Sequence, residues 1–464
     1  MNQDRIWYRS DGEHISRFLS RMADLGVAVY YDSSIDMQVA AEIEGETLDT
    51  ALDRIIAPLG YVLTWDVVRG PIDDLIKLNS IKVFRPGNPA AARPFGRSSG
   101  HQLQRFKGRS FVADEILIGF KAGSTRREVD LLLSQVGASV VDSIESLGIY
   151  RIKFNPGANI PALSEQLRKH PLVAGAEPNY TSDLPRPYIS SSHYQKEPYD
   201  PKSRSVGGPA YLAVLDSGID SSMAGQIASG GFNALEPDSL PDDSVGHGTH
   251  MAMLASGLVD AKGAAYGEDD VSIPLLAVRT FDANGVTSNY DLMRGIDYAL
   301  DSGARVINLS WGSPHSSEFI DLAVAQAQSR GAIVVAAAGN DPSGEAIYPA
   351  AYPGVLAMAA NDSDGGYWEK SNYGDFIFAA APGTADLPAV GDAQAGSYAG
   401  TSIASATTAG VIARFYAKYP ETNPKDLVET LKKALSPPAD GTEKYGCGIL
   451  DSQAIDRFLD NSNN

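Results

Sequence analysis

The 464-residue chain has one cysteine, Cys447, so no disulfide can form within it. Large domains fold without disulfides, so this leaves the redox compartment open. Long apolar runs are also missing. Stretches such as AIVVAAA (332–338) fall far short of the roughly 20 residues that span a membrane. The first residues, MNQDRIWYRSDGE, lack the apolar core of an export signal. Two expectations follow, a cytoplasmic protein or an exported one whose signal has been removed. Positive charge is scarce: 38 Lys and Arg stand against 57 Asp and Glu, a net charge of −19. Nucleic-acid binding needs a basic face, so that class is excluded.

What is present is ordinary globular composition, 43% hydrophobic and 20% charged, over a length that predicts several domains. Residues 1–83 read as a small α+β module. Ile15, Phe18, Leu19 and Met22 follow a helical period, as do Leu48, Leu52, Ile55 and Leu59, while VAVYY and YVLTWDVV read as strands. Residues 84–111 are rich in Pro, Gly and Ser and read as a linker. They carry Arg85, Arg93, Arg97, Arg105, Lys107 and Arg109 and no acid. Such a strip either touches an anionic surface or lies solvated over the chain's own acidic domains. Residues 112–182 alternate strand, helix, strand, strand, helix, strand, the order of a ferredoxin-like fold.

Residues 183–464 form the largest segment. AYLAVLD (210–216), SIPLLAV (272–278), ARVINLS (304–310) and AIVVAAA (332–338) are continuously apolar, as strands buried on both faces must be. Helical stretches separate them, which predicts a doubly wound α/β domain with a mostly parallel sheet. Sites in such sheets form at the carboxyl ends of strands. Four motifs stand at such places: Asp216 in LDSG, His247 in GHGTH, Asn340 in AAGN, and Ser402 in GTSIAS. Each has a plain reading as a turn or helix cap; Thr401 or Ser402 would make an ordinary N-cap. Together they supply a nucleophile, a base, a carboxylate to orient the base, and an amide for an oxyanion.

These motifs, in this order, resemble the subtilisin-like serine peptidases, whose Asp, His, Ser order they share. The resemblance covers about 200–456 and includes VINLSWGS, SNYGDFIFAAAPG and GCGILDSQAI. Peptidases with a Ser-Glu-Asp set share a similar serine motif, but His247 holds the base position here. The resemblance implies Ser402 as nucleophile, His247 as base, Asp216 as its orienting acid, and Asn340 with the Ser402 amide as the oxyanion site. It further implies a substrate-binding strand at Ser310, Trp311 and Gly312, and a second pocket wall at Ala337, Ala338 and Gly339. There are departures from the family pattern. Ala406 stands where a proline is usual. Ile347 stands at the pocket floor, where it would favour small or medium residues before the scissile bond. The loop GLVDAKGAAYG lacks an asparagine-rich calcium sequence. The acids Glu236, Asp238, Asp242 and Asp243, or Glu268, Asp269 and Asp270, either bind a structural Ca²⁺ or form solvated loops. No cofactor is expected for the chemistry.

ADEILIGFKAG and LVAGAEPNY resemble the inhibitory prodomain of the same family. That implies an intramolecular inhibitor over about 112–180, with self-cleavage near Tyr180-Thr181. A tyrosine before the cut conflicts with a pocket shortened by Ile347. ISRFLSRMADLGVAVYYDSSI and GETLDTALDRIIAPLGYVLTWDV are similar to the short N-terminal module of bacterial secretins and TonB-dependent receptors. That implies a periplasmic or secreted protein with an envelope partner for residues 1–83, with a cytoplasmic location second. Two function classes stand: a zymogen-type endopeptidase acting on proteins or peptides, and a peptidase fold kept closed as a binding or signalling module.

Overall fold

A computed structural model describes residues 5–15, 18–19, 22, 27–31, 35, 37–68, 75–87, 93–95, 103–185, 188–189, 205–206, 211–264, 271–438 and 443–460. They fall into two compact units, residues 1–100 and 101–464. In the first, Ile15, Phe18, Leu19 and Met22 are buried with Leu52, Ile55 and Ile56 of the helix Leu48–Ile56, as their helical spacing requires. They pack with Val29, Ile81 and Val83. A four-stranded sheet orders Gly60–Val68, Leu75–Phe84, Ala28–Tyr31 and Arg93–Phe95.

The expected linker is not structureless. Arg93–Phe95 joins that sheet, and Leu103–Phe106 forms a hairpin with the strand Arg109–Phe120. Backbone pairing satisfies these segments although their apolar period is weak, which is why composition alone reads them as linker.

The second unit is built around two large sheets, beside a three-stranded and a two-stranded one. The first orders Val173–Asp183, Arg109–Phe120, Ile149–Lys153 and Ser139–Ile144, the ferredoxin-like arrangement. Its helices carry the expected signals. Thr125 and Glu128 form a capping box and Gly137 closes the helix in a left-handed conformation, while Asn159 caps the next. The strand Arg109–Phe120 is buried on both faces. Ile116 and Ile118 pack on the domain's own helices, whereas Leu117 faces a core shared with the larger domain. Burying Leu117, Ile144 and Ile149 there contributes on the order of 2 kcal/mol each. Val173–Asp183, the last strand of the expected order, runs across the expected boundary at 182 and pairs with Val286–Ser288 of the larger domain.

The second sheet has seven strands in the order Ala228–Asn233, Leu275–Arg279, Leu212–Asp216, Val306–Leu309, Ile333–Ala337, Leu356–Asn361 and Ala379–Pro382. Every neighbouring pair is parallel. Leu212 and Val214 point to one core, Ala213 and Leu215 to the other. The first core is closed by the helices His247–Ser256 and Thr401–Lys418, the second by Asn289–Asp301 and Glu318–Ser329. The strand order reverses at Leu212–Asp216, which places the switch point beside Asp216.

Candidate active site

Asp216 ends the central strand and is fully buried. Its Oδ1 accepts the Ser217 N–H at 2.8 Å and lies 2.7 Å from Nδ1 of His247. His247 opens its helix between two glycines with a steric reason for each. Gly246 has φ +92°, and a Cβ there would stand 2.1 Å from the Val390 carbonyl; a Cβ on Gly248 would stand 2.5 Å from that of Gly218. The Gly248 N–H donates to Ser217 Oγ at 2.8 Å, tying the helix start to the strand end.

Asp243 completes this corner. It accepts the N–H groups of Val245, Gly246 and Thr249 and the Thr249 hydroxyl. Its carboxylate is used in capping the histidine helix, so it is not a free member of the acidic cluster expected to bind calcium. Among the described residues, no group of three or more His, Cys, Asp or Glu is placed to hold a metal. Glu268, Asp269 and Asp270 lie outside the described residues.

Burial lowers the pKa of His247, but the charge and hydrogen bond of Asp216, with Asp243 beyond, outweigh it and leave the pKa raised. The second histidine of the motif differs. His250 is buried against Tyr398 with Nε2 2.8 Å from the Pro388 carbonyl, and burial pushes its pKa down to about 4. It is a neutral core residue.

Ser402 is the second residue of its helix and is 6% exposed. Its Oγ donates to the Ser310 carbonyl at 3.0 Å. Gly400 is the N-cap and no side chain caps the helix, so neither Thr401 nor Ser402 has the capping role their position suggested. Thr401 instead fixes Asn340. Asn340 Oδ1 accepts both the Thr401 N–H and the Thr401 hydroxyl at 2.9 Å, and Thr401 Oγ1 accepts the Gly339 N–H at 3.1 Å. With Oδ1 so engaged, Nδ2 is the opposite edge of the carboxamide, beside Gly400. Sequence reading missed this role, although the adjacency of Thr401 to Ser402 was its one signal.

The expected substrate-binding residues divide. Ser310 is fully buried; its hydroxyl accepts from Asn308 Nδ2, is bonded to the Ser405 hydroxyl and donates to the Ser402 carbonyl at 3.3 Å, while its own carbonyl accepts from Ser402 Oγ. Trp311 and Gly312 line a cavity together with Tyr180 to Asp183. Ala337 and Ala338 are core residues. Ile347 sits between the two walls: a Cβ on Gly312 would meet its Cγ2 at 2.3 Å, and one on Gly339 its Cγ1 at 3.2 Å. Asn372 was also missed. It donates to the Ala338 and Glu345 carbonyls and so holds the second wall. Ala406 lies within the unbroken helix Thr401–Lys418 and is buried.

The comparisons with known proteins give the family. The profile of the Subtilase family matches residues 207–449, more than half of the chain, and encloses every residue above from Asp216 to Ser402. The chain belongs to the subtilase family. A second profile, the fervidolysin N-terminal prodomain, matches residues 99–179. This subtilase is 32% identical over 319 residues to a thermophilic serine proteinase of Bacillus sp. (strain AK1), covering 66% of this chain and 78% of that one. It is 35% identical over 232 residues to thermitase of Thermoactinomyces vulgaris, covering 48% and 82%. Fervidolysin of Fervidobacterium pennivorans, described as a keratinolytic enzyme related to subtilisin, shares the fold with a TM-score of 0.58 and 22% identity over 78% of this chain. This chain spans 63% of the fervidolysin chain.

The subtilase is a serine-type endopeptidase made as a zymogen with its own prodomain, and a peptidase fold kept only for binding is not favoured. Its chemistry needs no cofactor. Among the described residues, no helix is long and apolar enough to cross a membrane.

Proposed function

We propose that Ser402, His247 and Asp216 carry out acyl transfer, with Asn340 and the Ser402 N–H binding the oxyanion. The observation that carries this is the 2.7 Å bond between His247 Nδ1 and buried Asp216. It fixes the tautomer that turns Nε2 outward as the base. Ser402 Oγ exchanges its bond to the Ser310 carbonyl for one to that nitrogen and attacks the scissile carbonyl. The carbonyl oxygen takes the negative charge, which the amides stabilise. His247 passes the proton to the leaving nitrogen, and water then hydrolyses the ester to regenerate Ser402. The test is labelling by a fluorophosphonate after limited proteolysis of the prodomain; no adduct on Ser402 would sink the assignment.

Ile347 supports a preference for small residues before the scissile bond, because it occupies the gap between Gly312 and Gly339. Ile347→Ala should raise kcat/KM for a peptide with leucine at that position by about tenfold relative to its alanine counterpart. An unchanged ratio removes Ile347 from the pocket. The prodomain, about 112–180, acts as inhibitor through its last strand, Val173–Asp183, which runs just past that range and pairs beside Val286–Ser288 at Thr181, Ser182 and Asp183. The likeness of residues 1–83 to an envelope docking module supports a secreted or periplasmic site of action and an envelope partner. A structural Ca²⁺ finds its remaining support in the acids Glu236, Asp238 and Asp242.

A further inference from the structure

Two helices carry the proposed reactive pair, His247–Ser256 the base and Thr401–Lys418 the nucleophile. They meet backbone to backbone at Gly410, where a Cβ would stand 2.2 Å from the Ala255 carbonyl. Gly410 lies eight residues beyond Ser402, and Ala255 eight beyond His247. At the rise of an α-helix that contact is about 12 Å from the reactive ends, so a tilt of about 5° between the helices would separate those ends by about 1 Å. The register of base and nucleophile therefore needs a second hold, nearer to them.

The antiparallel hairpin of Thr384–Leu387 and Gly396–Ala399 stands in that place. Its second strand leads through Gly400 into Ser402, and the Gly400 N–H donates to the Gly383 carbonyl at 2.8 Å, closing the open end of the hairpin. Lys262 Nζ bonds the cross-strand partners Asp386 and Ser397 at 2.9 and 3.1 Å, which makes the two strands move as one. The loop of the hairpin folds back toward the base. The Asp392 N–H donates to the Ser244 carbonyl at 2.9 Å, and a Cβ on Gly391 would stand 2.7 Å from the same oxygen.

The hold on the helix of the base comes from His250, one turn after His247. Its ring is 3% exposed, and burial keeps it neutral. The Pro388 carbonyl can only accept, so the single N–H of the ring is on Nε2, and it donates across 2.8 Å. Tyr398, four residues before Ser402, meets the same ring edge to face with 5.2 Å between centroids. The Tyr398 hydroxyl donates in turn to the Gln394 carbonyl in the hairpin loop. One imidazole thus touches the end of the first strand and the body of the second.

We propose that His250 is a positioning residue that registers the hairpin, and with it Ser402, against the helix of His247. It acts through Pro388 and Tyr398 and touches no reacting atom. This deepens the assignment of Ser402, His247 and Asp216 and rests on it.

The test compares His250→Phe, which keeps a ring without the donor, with His250→Gln, which keeps an N–H at the reach of the imidazole Nε2. Each full chain is activated by limited proteolysis of the prodomain, and its working sites are titrated with a fluorophosphonate. Melting temperature, kcat, KM and the rate of Ser402 labelling are then measured. His250→Phe should lower kcat per titrated site and the labelling rate together by roughly 10- to 10²-fold, the scale of a 1 Å misplacement, with KM little changed. His250→Gln should recover most of that loss. A Phe variant that melts lower yet keeps the native kcat per site overturns the proposal, because His250 then only packs. So does a Gln variant no faster than the Phe variant, because the hydrogen bond then carries nothing. If the Phe variant does not fold, His250→Asn, whose shorter amide falls short of Pro388, is judged by the same criteria. A native enzyme whose Ser402 is never labelled removes the assignment of the reactive centre, and the proposal falls with it. Native labelling with unaffected variants removes the proposal alone.

Discussion

Two buried carboxylates, Asp216 and Glu177, serve opposite ends of the same enzyme. Asp216 faces His247, a partner that can itself become charged, at 2.7 Å. Glu177 lies on the prodomain strand, 4% exposed, and faces neutral partners, the Ser317 hydroxyl and Asn289 Nδ2. Those partners sit at the starts of the helices Glu318–Ser329 and Asn289–Asp301, where the backbone favours negative charge. Nearby, Asn179 accepts the Tyr290 N–H at 3.1 Å. Burial nevertheless dominates and raises the Glu177 pKa. Ser317, Asn289 and Arg109 oppose the rise and Glu318 adds to it. The proposed reactive centre thus keeps its acid beside a base, while the prodomain contact holds an acid that a proton can neutralise.

The comparison breaks most severely at Asp216. Asp216→Asn should lower kcat by about 10⁴, the scale of the same change in related triads, with the fold intact by circular dichroism. The acid limb of the pH profile should move as well. His247 must be neutral to act, so kcat/KM of the released native enzyme rises with pH through a midpoint above the ordinary imidazole value of about 6.5. Removing the Asp216 charge leaves burial as the larger influence and lowers that midpoint. A midpoint that stays put separates Asp216 from the titration.

Asn340→Ala should cost about 10²–10³ in kcat with KM little changed, a figure measured for subtilisin itself. Thr401→Val should produce a smaller loss of the same kind, and Thr401→Ser should restore activity because it keeps the hydroxyl that holds Asn340. A loss confined to KM would argue against an oxyanion role for the pair.

The smallest expected effect tests the other carboxylate. A raised pKa in the docked prodomain means that docking takes up a proton. Affinity is therefore full below the free carboxylate range and declines as pH rises through the Glu177 pKa, by at most about tenfold per pH unit. Inhibition of the released catalytic domain by added prodomain, measured across that range, should lose this dependence in Glu177→Gln. The same slope in native and variant prodomain would assign it to another group.

Much of the fold was legible because the buried strands admit few residue types. Leu212–Asp216 and Ile333–Ala337 are apolar throughout because both faces are covered. The outer strands Ala228–Asn233 and Ala379–Pro382 were not legible. ASGGFN and AAAP have poor strand propensity, and sheet context overrides it.

The sequence by itself determined the chemistry proposed for the site. A nucleophile, a base, an orienting acid and an oxyanion amide require particular side chains, and Asp216, His247, Asn340 and Ser402 can be found by type and order. Only the tertiary structure decided how those groups are held and what lies across them. That Thr401 braces Asn340 rather than capping a helix depends on which atom faces which donor. That Thr181 pairs with Ser288, and Tyr188 with Ala399, depends on contacts between residues more than a hundred positions apart. Local propensity carries no record of such contacts; the folded backbone sets them.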